Sequence, residues 1–164
     1  MISKLDVIKK RIVNPEELAL LLVQLRLKSK KIVFTNGCFD LLHLGHVDYL
    51  SKAADFGDVL IVGVNSDASV KFLGKGANRP IQDEISRSIL IASLHFVDFV
   101  LVFEEATPYE LIKRIEPDVL VKGADYKVEE VAGYDLMQAR GAEVKLIELL
   151  EGYSTSRIES KIRT

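Results

Sequence analysis

The sequence predicts an α/β fold built on an open, doubly wound parallel sheet, and three observations predict it. Short β-branched and apolar runs of strand length recur five times along the chain. They alternate with segments of helical periodicity. Those segments carry helix start and stop residues at their ends. Buried strands separated by helices pair in parallel through right-handed crossovers, which places helices on both faces. The expected arrangement is a Rossmann-like five-stranded sheet in the order 3-2-1-4-5. Ligands of such sheets bind outside the carboxyl ends of the strands, where the order reverses.

Residues 1–13 read as an extended or partly ordered lead-in. Asn14-Pro15-Glu16-Glu17 is a helix start, with Asn as cap, Pro at the first helical position and Glu at the third. That helix runs to about Lys28. Leu18, Leu21, Leu22 and Leu25 form one apolar stripe along it, and Leu20, Val23 and Leu27 form a second. One stripe covers the core; the other predicts either a homodimer contact or burial of the whole helix. Residues 1–30 are thus a lead-in and helix packed on the same domain as residues 31–164. The first strand is Lys31–Thr35, which Asn36-Gly37 breaks. The helix after His46 carries Val47, Leu50, Ala53 and Ala54 inward and stops at Gly57 as a left-handed cap.

Asp58–Asn65 is the second strand, and Ser66-Asp67 caps a short helix. Gly74 to Pro80 is a glycine-rich basic loop. Asp83–Leu94 is a helix with Ile85, Ile89, Leu90 and Leu94 inward, followed by a third strand at Val97–Phe103. Thr107-Pro108-Tyr109-Glu110 is a second capping box. Asp118–Lys122 is the fourth strand, residues 128–140 are helical with Gly141 as terminator, Glu143–Leu149 is the fifth strand, and Ser156–Ile162 is the last helix.

The chemistry concentrates at residues 31–57. The tetrad His43-Leu44-Gly45-His46 falls where a strand turns into a helix. Helix N-termini present unpaired backbone N–H groups and a partial positive charge, and so attract phosphate. Two imidazoles add donors there, and Gly45 removes a side chain where a phosphate meets the backbone. Two other readings of the cluster stand beside this one: solvated histidines at a helix start, and a metal site made by Cys38, His43 and His46. At the other side of the reversal point, the loop after the fourth strand carries Lys122-Gly-Ala-Asp-Tyr126. Ser154, Thr155 and Ser156 open the last helix, where three hydroxyls suit phosphate better than capping alone.

Composition narrows the function classes. The 164 residues suffice for one domain with a real core, and 28% charged with 48% hydrophobic residues is a globular balance. A net charge of −2 implies no general affinity for nucleic acid. One cysteine permits no disulfide framework and suits a reducing cytoplasm. The longest apolar run, Leu18 to Val23, is far too short to span a membrane. Neither G-x-G-x-x-G after the first strand nor G-x-x-x-x-G-K-[ST] occurs, which argues against dehydrogenase and P-loop readings.

Gly37-Cys-Phe-Asp40 followed by His43-Leu-Gly-His46 resembles the nucleotidylyltransferase superfamily of G-x-F-D-x-x-H-x-G-H enzymes. The segments Val64–Lys71, Asn78-Arg-Pro80, Leu120–Lys127 and Ser154-Thr-Ser156 sharpen the resemblance to the adenylyltransferase domain of bacterial ADP-heptose synthase. It is collinear over residues 10–163, and it implies a stand-alone form acting with a separate heptose kinase. The resemblance implies transfer of AMP from ATP to D-glycero-β-D-manno-heptose 1-phosphate with Mg²⁺, giving ADP-heptose for the lipopolysaccharide inner core. It implies catalytic roles for His43, His46, Lys75 and Arg79. It implies nucleotide-binding roles for Thr35, Asn36, Gly37, Cys38, Phe39, Asp40, Gly45, Asn65, Asp67, Arg87, Lys122, Gly123, Asp125, Ser154, Thr155 and Ser156, and leaves the metal ligands unknown. Phe39 is expected to pack and Asp40 to orient its loop. Lys122, Gly123 and Asp125 are expected on the base and ribose side. Arg87 follows the family's E-x-x-R pattern with Glu84, and either reaches the nucleotide or pairs with Glu84. Departures from the pattern include Leu149 where related cytidylyltransferases carry arginine, and Tyr153 and Ser156 where the heptose family carries Cys and Thr. Two other readings compete: a cytidylyltransferase for glycerol 3-phosphate or a similar alcohol phosphate, and a non-catalytic nucleotide-sensing module.

Overall fold

Five strands form one fully parallel sheet in the order β3-β2-β1-β4-β5. They are β1 (Ile32–Gly37), β2 (Val59–Asn65), β3 (Phe99–Phe103), β4 (Val119–Gly123) and β5 (Glu143–Ile147). The computed structural model of the protein describes residues 2–73 and 79–162. The helices are α1 (Lys4–Lys9), α2 (Pro15–Leu27), α3 (Leu44–Ala54), α4 (Asp67–Phe72), α5 (Glu84–Ala92), α6 (Tyr109–Ile115), α7 (Tyr134–Ala139) and α8 (Thr155–Ile162). The order reverses at β1, whose neighbours are β2 and β4.

Side chains alternate along each strand, so the sheet has two apolar faces and each needs a cover. Ile32 and Phe34 of β1 point into a core with Leu18, Leu22 and Leu25 of α2 and Ile112 of α6. Val33, between them, points into the opposite core with Leu50 of α3 and Ile91 of α5. Each fully buried leucine or isoleucine contributes about 1.5–3 kcal/mol. That is why α2 is held to the sheet by one stripe alone. Its other stripe faces out, with Leu20 69%, Val23 59% and Leu27 81% exposed, so the whole-helix burial reading is excluded.

Several expected boundaries move, each for a local reason. The lead-in is ordered: Ser3 and Asp6 form a reciprocal capping box that starts α1, and Ile12 then bridges in parallel to Val100 beside β3. Strand β1 continues through Asn36 and Gly37, which pair with Gly63 and Val64, because pairing on the β2 side overrides the turn preference of Asn-Gly. Gly57 is not a left-handed cap; α3 ends at Ala54 with Asp55 in right-handed geometry. Glycine is required there for another reason, since a Cβ would lie 2.6 Å from Val33 Cγ2 and 2.7 Å from the Lys31 carbonyl oxygen. Thr107 caps nothing, because Pro108 itself occupies the cap position of α6. The helix expected over 128–140 divides into a 3₁₀ turn, Val128–Glu130, and α7, with Gly133 at φ 87° between them. Gly141 does end α7 in left-handed geometry.

The inward face of α5 differs most. Ile85 and Leu90 are exposed, and the buried residues are Arg87, Ser88, Ile91 and Ala92. A buried arginine took the place that an apolar-periodicity argument assigns to isoleucine.

Candidate active site

The reversal point is built at the carboxyl end of β1. Phe39 stands in left-handed backbone geometry, φ 49°, which costs a bulky residue about 1–3 kcal/mol. Gly37 makes room for it: a Cβ there would lie 3.0 Å from Phe39 Cζ. The Phe39 ring then meets His46 edge-on, centroids 5.3 Å apart. His46 stacks on His43 at 3.7 Å with 18° between the rings. A strained phenylalanine, a glycine and two histidines therefore form one packed unit at the start of α3.

His43 is the N-cap residue of α3, and its side chain makes no capping bond to the amides of the first turn. Its Nδ1 is buried and has no hydrogen-bond partner among the described residues. Burial holds its pKa below the ordinary 6.5, so the ring is neutral at pH 7. Gly45 is close-packed, since a Cβ would lie 3.1 Å from His43 Nδ1 and from Tyr153 Cβ.

Tyr49, one turn further along α3, fixes the helix to the sheet. Its hydroxyl lies 2.8 Å from Thr35 Oγ1, which donates at 3.0 Å to the Val121 carbonyl. Thr35 has one hydroxyl proton, so the Tyr49 hydroxyl is the donor to it. Burial raises the Tyr49 pKa well above its ordinary 10.0.

Asp40 accepts from Arg79 Nη1 at 2.6 Å, Ile81 N at 2.8 Å and Gln82 N at 3.0 Å. Burial opposes its ionisation, but the Gln82 amide, the Arg79 guanidinium and the Ile81 amide together outweigh it and hold the carboxyl below the ordinary range. Asp40 thus ties the histidine loop to Arg79, Ile81 and Gln82 ahead of α5. Arg79 also pairs with Glu159 of α8 at 2.7 Å. Lys75 lies outside the described residues.

Arg87 does not pair with Glu84. Its guanidinium, fully buried, donates to the Cys38 carbonyl at 2.7 Å, to the Gln82 carbonyl at 2.9 Å and to Asp67 Oδ1 at 2.7 Å. Glu84 instead accepts from the Asp67 backbone N–H. Lys122 Nζ donates to Asn36 Oδ1. Ser154 caps α8 by accepting from Arg157 N at 3.2 Å.

These groups surround a cleft of about 580 Å³. It brings together Asn36, Gly37, Cys38, Phe39, Asp40, His43, Gly45, His46, Arg79, Lys122, Gly123, Asp125, Ser154, Thr155 and Ser156. Thr35, Asp67 and Arg87 do not line it, and Asn65 lines a second, adjoining bay of about 310 Å³. Sequence reasoning missed Tyr49 and Val70 in the main cleft, which is also lined by Tyr126 of the loop after β4 and by Leu149, Leu150 and Tyr153 of the stretch before α8. Tyr49 had a signal, standing one helical turn after His46; Val70 of α4 had none. Among the described residues no three His, Cys, Asp or Glu side chains stand together as a metal group, so Cys38, His43 and His46 do not form one. No described helix is long and apolar enough to cross a membrane.

A crevice at the reversal point of a parallel sheet is where α/β domains of this order take their ligands, and an uncapped helix start beside two imidazoles suits phosphate. Comparison with known proteins specifies the class. The chain belongs to the cytidylyltransferase-like family, whose model matches residues 34–161. It is 58% identical over 149 residues to the Bifunctional protein HldE of Nitratiruptor sp., covering 91% of this chain and 31% of that protein. It is 55% identical over 155 residues to the protein of that name from Wolinella succinogenes, covering 94% of this chain and 32% of that protein. The chain therefore spans about a third of the length of these curated relatives. Among solved structures it resembles the lipopolysaccharide core biosynthesis protein from Thermoplasma volcanium, with a TM-score of 0.62 and 33% identity over 76% of this chain and 99% of that one. A pantoate-beta-alanine ligase from Francisella tularensis shares the fold, with a TM-score of 0.60 at 17% identity, over 93% of this chain and 76% of that one.

Proposed function

We propose that the cleft transfers AMP from ATP to D-glycero-β-D-manno-heptose 1-phosphate, releasing pyrophosphate and giving ADP-heptose for the lipopolysaccharide inner core. The observation that carries this reading is the stacked pair His43 and His46 at the open start of α3. The likeness to a lipopolysaccharide core biosynthesis protein supports the acceptor. An oxygen of the sugar phosphate forms a bond to the α-phosphorus of ATP as the bond from that phosphorus to the bridging oxygen of pyrophosphate breaks. The nucleophile is already an anion and needs no general base. The barrier is the approach of like charges, so the site's work is alignment and electrostatic stabilisation.

In this reading His43, His46 and the first amides of α3 donate to the triphosphate. Ser154, Thr155 and Ser156 meet it from the start of α8, and Lys75 and Arg79 act from the basic segment. Asn36, Gly37, Cys38, Phe39, Asp40, Gly45, Gly123 and Asp125 shape the nucleotide's bed, Lys122 stands at its boundary with the smaller bay, and Thr35, Asn65, Asp67 and Arg87 support it. Mg²⁺ fits as a passenger on the nucleotide: Asp125 is a carboxylate at the cleft, and phosphates and water complete such a shell. The ion would screen phosphate charge. We place the protein in the cytoplasm with a heptose kinase activity supplying the acceptor, and assign the exposed Leu20, Val23 and Leu27 face to a homodimer.

The test is pyrophosphate release with ATP and CTP, each against heptose 1-phosphate and glycerol 3-phosphate. Release with ATP and the heptose phosphate is expected. Turnover of CTP with glycerol 3-phosphate alone would replace this reading with a cytidylyltransferase, and nucleotide binding without release would replace it with a sensing module. A monomer at micromolar concentration in analytical ultracentrifugation would remove the dimer.

A further inference from the structure

The main cleft and the smaller bay are neighbours, and they meet at the sheet's reversal point. They share Asn36, Gly37, Cys38, Lys122 and Tyr126. The geometry of β1 and β4 explains the junction. Their ladder ends at Phe34–Leu120, although β1 runs on to Gly37 and β4 to Gly123. Two residues past that last rung, Asn36 and Lys122 stand level on the two strands. The ammonium of Lys122 donates across the opening crevice to the Asn36 amide oxygen. A lysine on β4 is thereby aimed at the boundary of the two bays.

Phosphoryl chemistry between two bound molecules requires their phosphates to meet at such a boundary, in line, with each body lodged on its own side. The main cleft has the helix start, the imidazoles and the larger volume, and suits the nucleoside triphosphate. The smaller bay is walled by apolar Leu73, Pro108 and Val131 and by polar Asn65, Thr107 and Glu130. Asn65 is already committed, donating to Ser69 Oγ at 2.9 Å. Thr107 and Glu130 are exposed, and a hydroxyl and a carboxylate are the partners that sugar hydroxyls take. Glu130 also stands 3.7 Å from Lys127 at the rim.

Resting on the adenylyl-transfer reading, we propose that the smaller bay receives the acceptor as a polyhydroxylated sugar 1-phosphate, and that Lys122, positioned by Asn36, binds the acceptor phosphate where the two bays join. Thr107 and Glu130 then read the sugar hydroxyls.

The test is steady-state kinetics of Lys122→Met, Lys122→Arg and Thr107→Val with both substrates varied, alongside ATP binding by calorimetry without acceptor. Lys122→Met is expected to raise the KM for heptose 1-phosphate at least tenfold with the ATP Kd within threefold of wild type, and Lys122→Arg to recover part of that loss. Thr107→Val, at an exposed position, keeps the test valid if the lysine variants fold poorly, and is expected to raise the acceptor KM severalfold with ATP binding unchanged. Weaker ATP binding with an unaltered acceptor KM in Lys122→Met would overturn the assignment, as would an unaltered acceptor KM in Thr107→Val. If the wild type turns over CTP with glycerol 3-phosphate only, the adenylyl-transfer reading fails by itself. The same variants then report on the KM for glycerol 3-phosphate, where a Lys122→Met increase supports the junction role and its absence overturns it.

Discussion

Replacing Arg87 by methionine removes a guanidinium from the centre of the molecule while keeping much of its apolar volume. Three acceptors lose their donor at once: the carbonyls of Cys38 and Gln82 and the carboxylate of Asp67. A hydrogen bond to a charged group contributes about 1.5–3 kcal/mol when buried. The Asp67 side chain is 36% exposed, so water takes up much of that loss and the ion pair counts for little. The two carbonyls then dominate, and the expected destabilisation is about 3–5 kcal/mol. That is a large share of a typical stability of about 5–15 kcal/mol. With a urea slope of about 2 kcal/mol/M, the unfolding midpoint falls by about 2 M. Urea titration followed by far-UV circular dichroism measures it, with Arg87→Lys as a companion that restores one of the three bonds. A midpoint shift below about 0.3 M, together with markedly weaker ATP binding, would refute this reasoning and return Arg87 to direct contact with the nucleotide.

Four further outcomes are expected. His46→Ala lowers turnover about 100–1000-fold with an unchanged circular dichroism spectrum, and a variant within threefold of wild type in a pyrophosphate-release assay contradicts the role given to that ring. Gly45→Ala pushes a methyl group to within 3.1 Å of the His43 ring and of Tyr153, and lowers turnover about 10-fold while thermal unfolding changes little. The His43 pKa is depressed by burial, so the unfolded chain binds more protons just below pH 6.5; stability therefore falls as pH drops through that window, and His43→Gln flattens this part of the profile. Asp40 is also depressed, so its contribution is present above its ordinary 3.8 and is lost as pH falls below it; Asp40→Asn removes that acid-side slope in thermal melts taken across pH.

The strand–helix alternation behind the sheet order and the histidine-bearing start of α3 were legible because their signals are local: strand-length apolar runs, and histidines beside a glycine where periodicity changes from 2 to 3.6. The capping box at Ser3 and Asp6 carries its signal openly as S-x-x-D, yet the short α1 behind it lacks an apolar stripe long enough to read. The face of α5 was illegible because periodicity assigns burial to isoleucine before arginine. Only tertiary placement reveals that Cys38, Gln82 and Asp67 converge on Arg87. The partner of Lys122 was out of reach for a similar reason. Asn36 is 86 residues away, and the two stand level only because β1 and β4 are neighbours in the sheet.

The hydroxyl relay from Tyr49 through Thr35 to Val121 rivets α3 to two strands at once. Because burial keeps the phenol protonated far into alkaline conditions, the rivet does not loosen across the pH range of a living cell. Folding alone therefore sets the distance between the imidazole stack and β4, before any nucleotide arrives. In the adenylyl-transfer reading, the dipoles that face the reacting phosphorus need not swing into place during the reaction, and the work of arranging them is done once, when the chain folds.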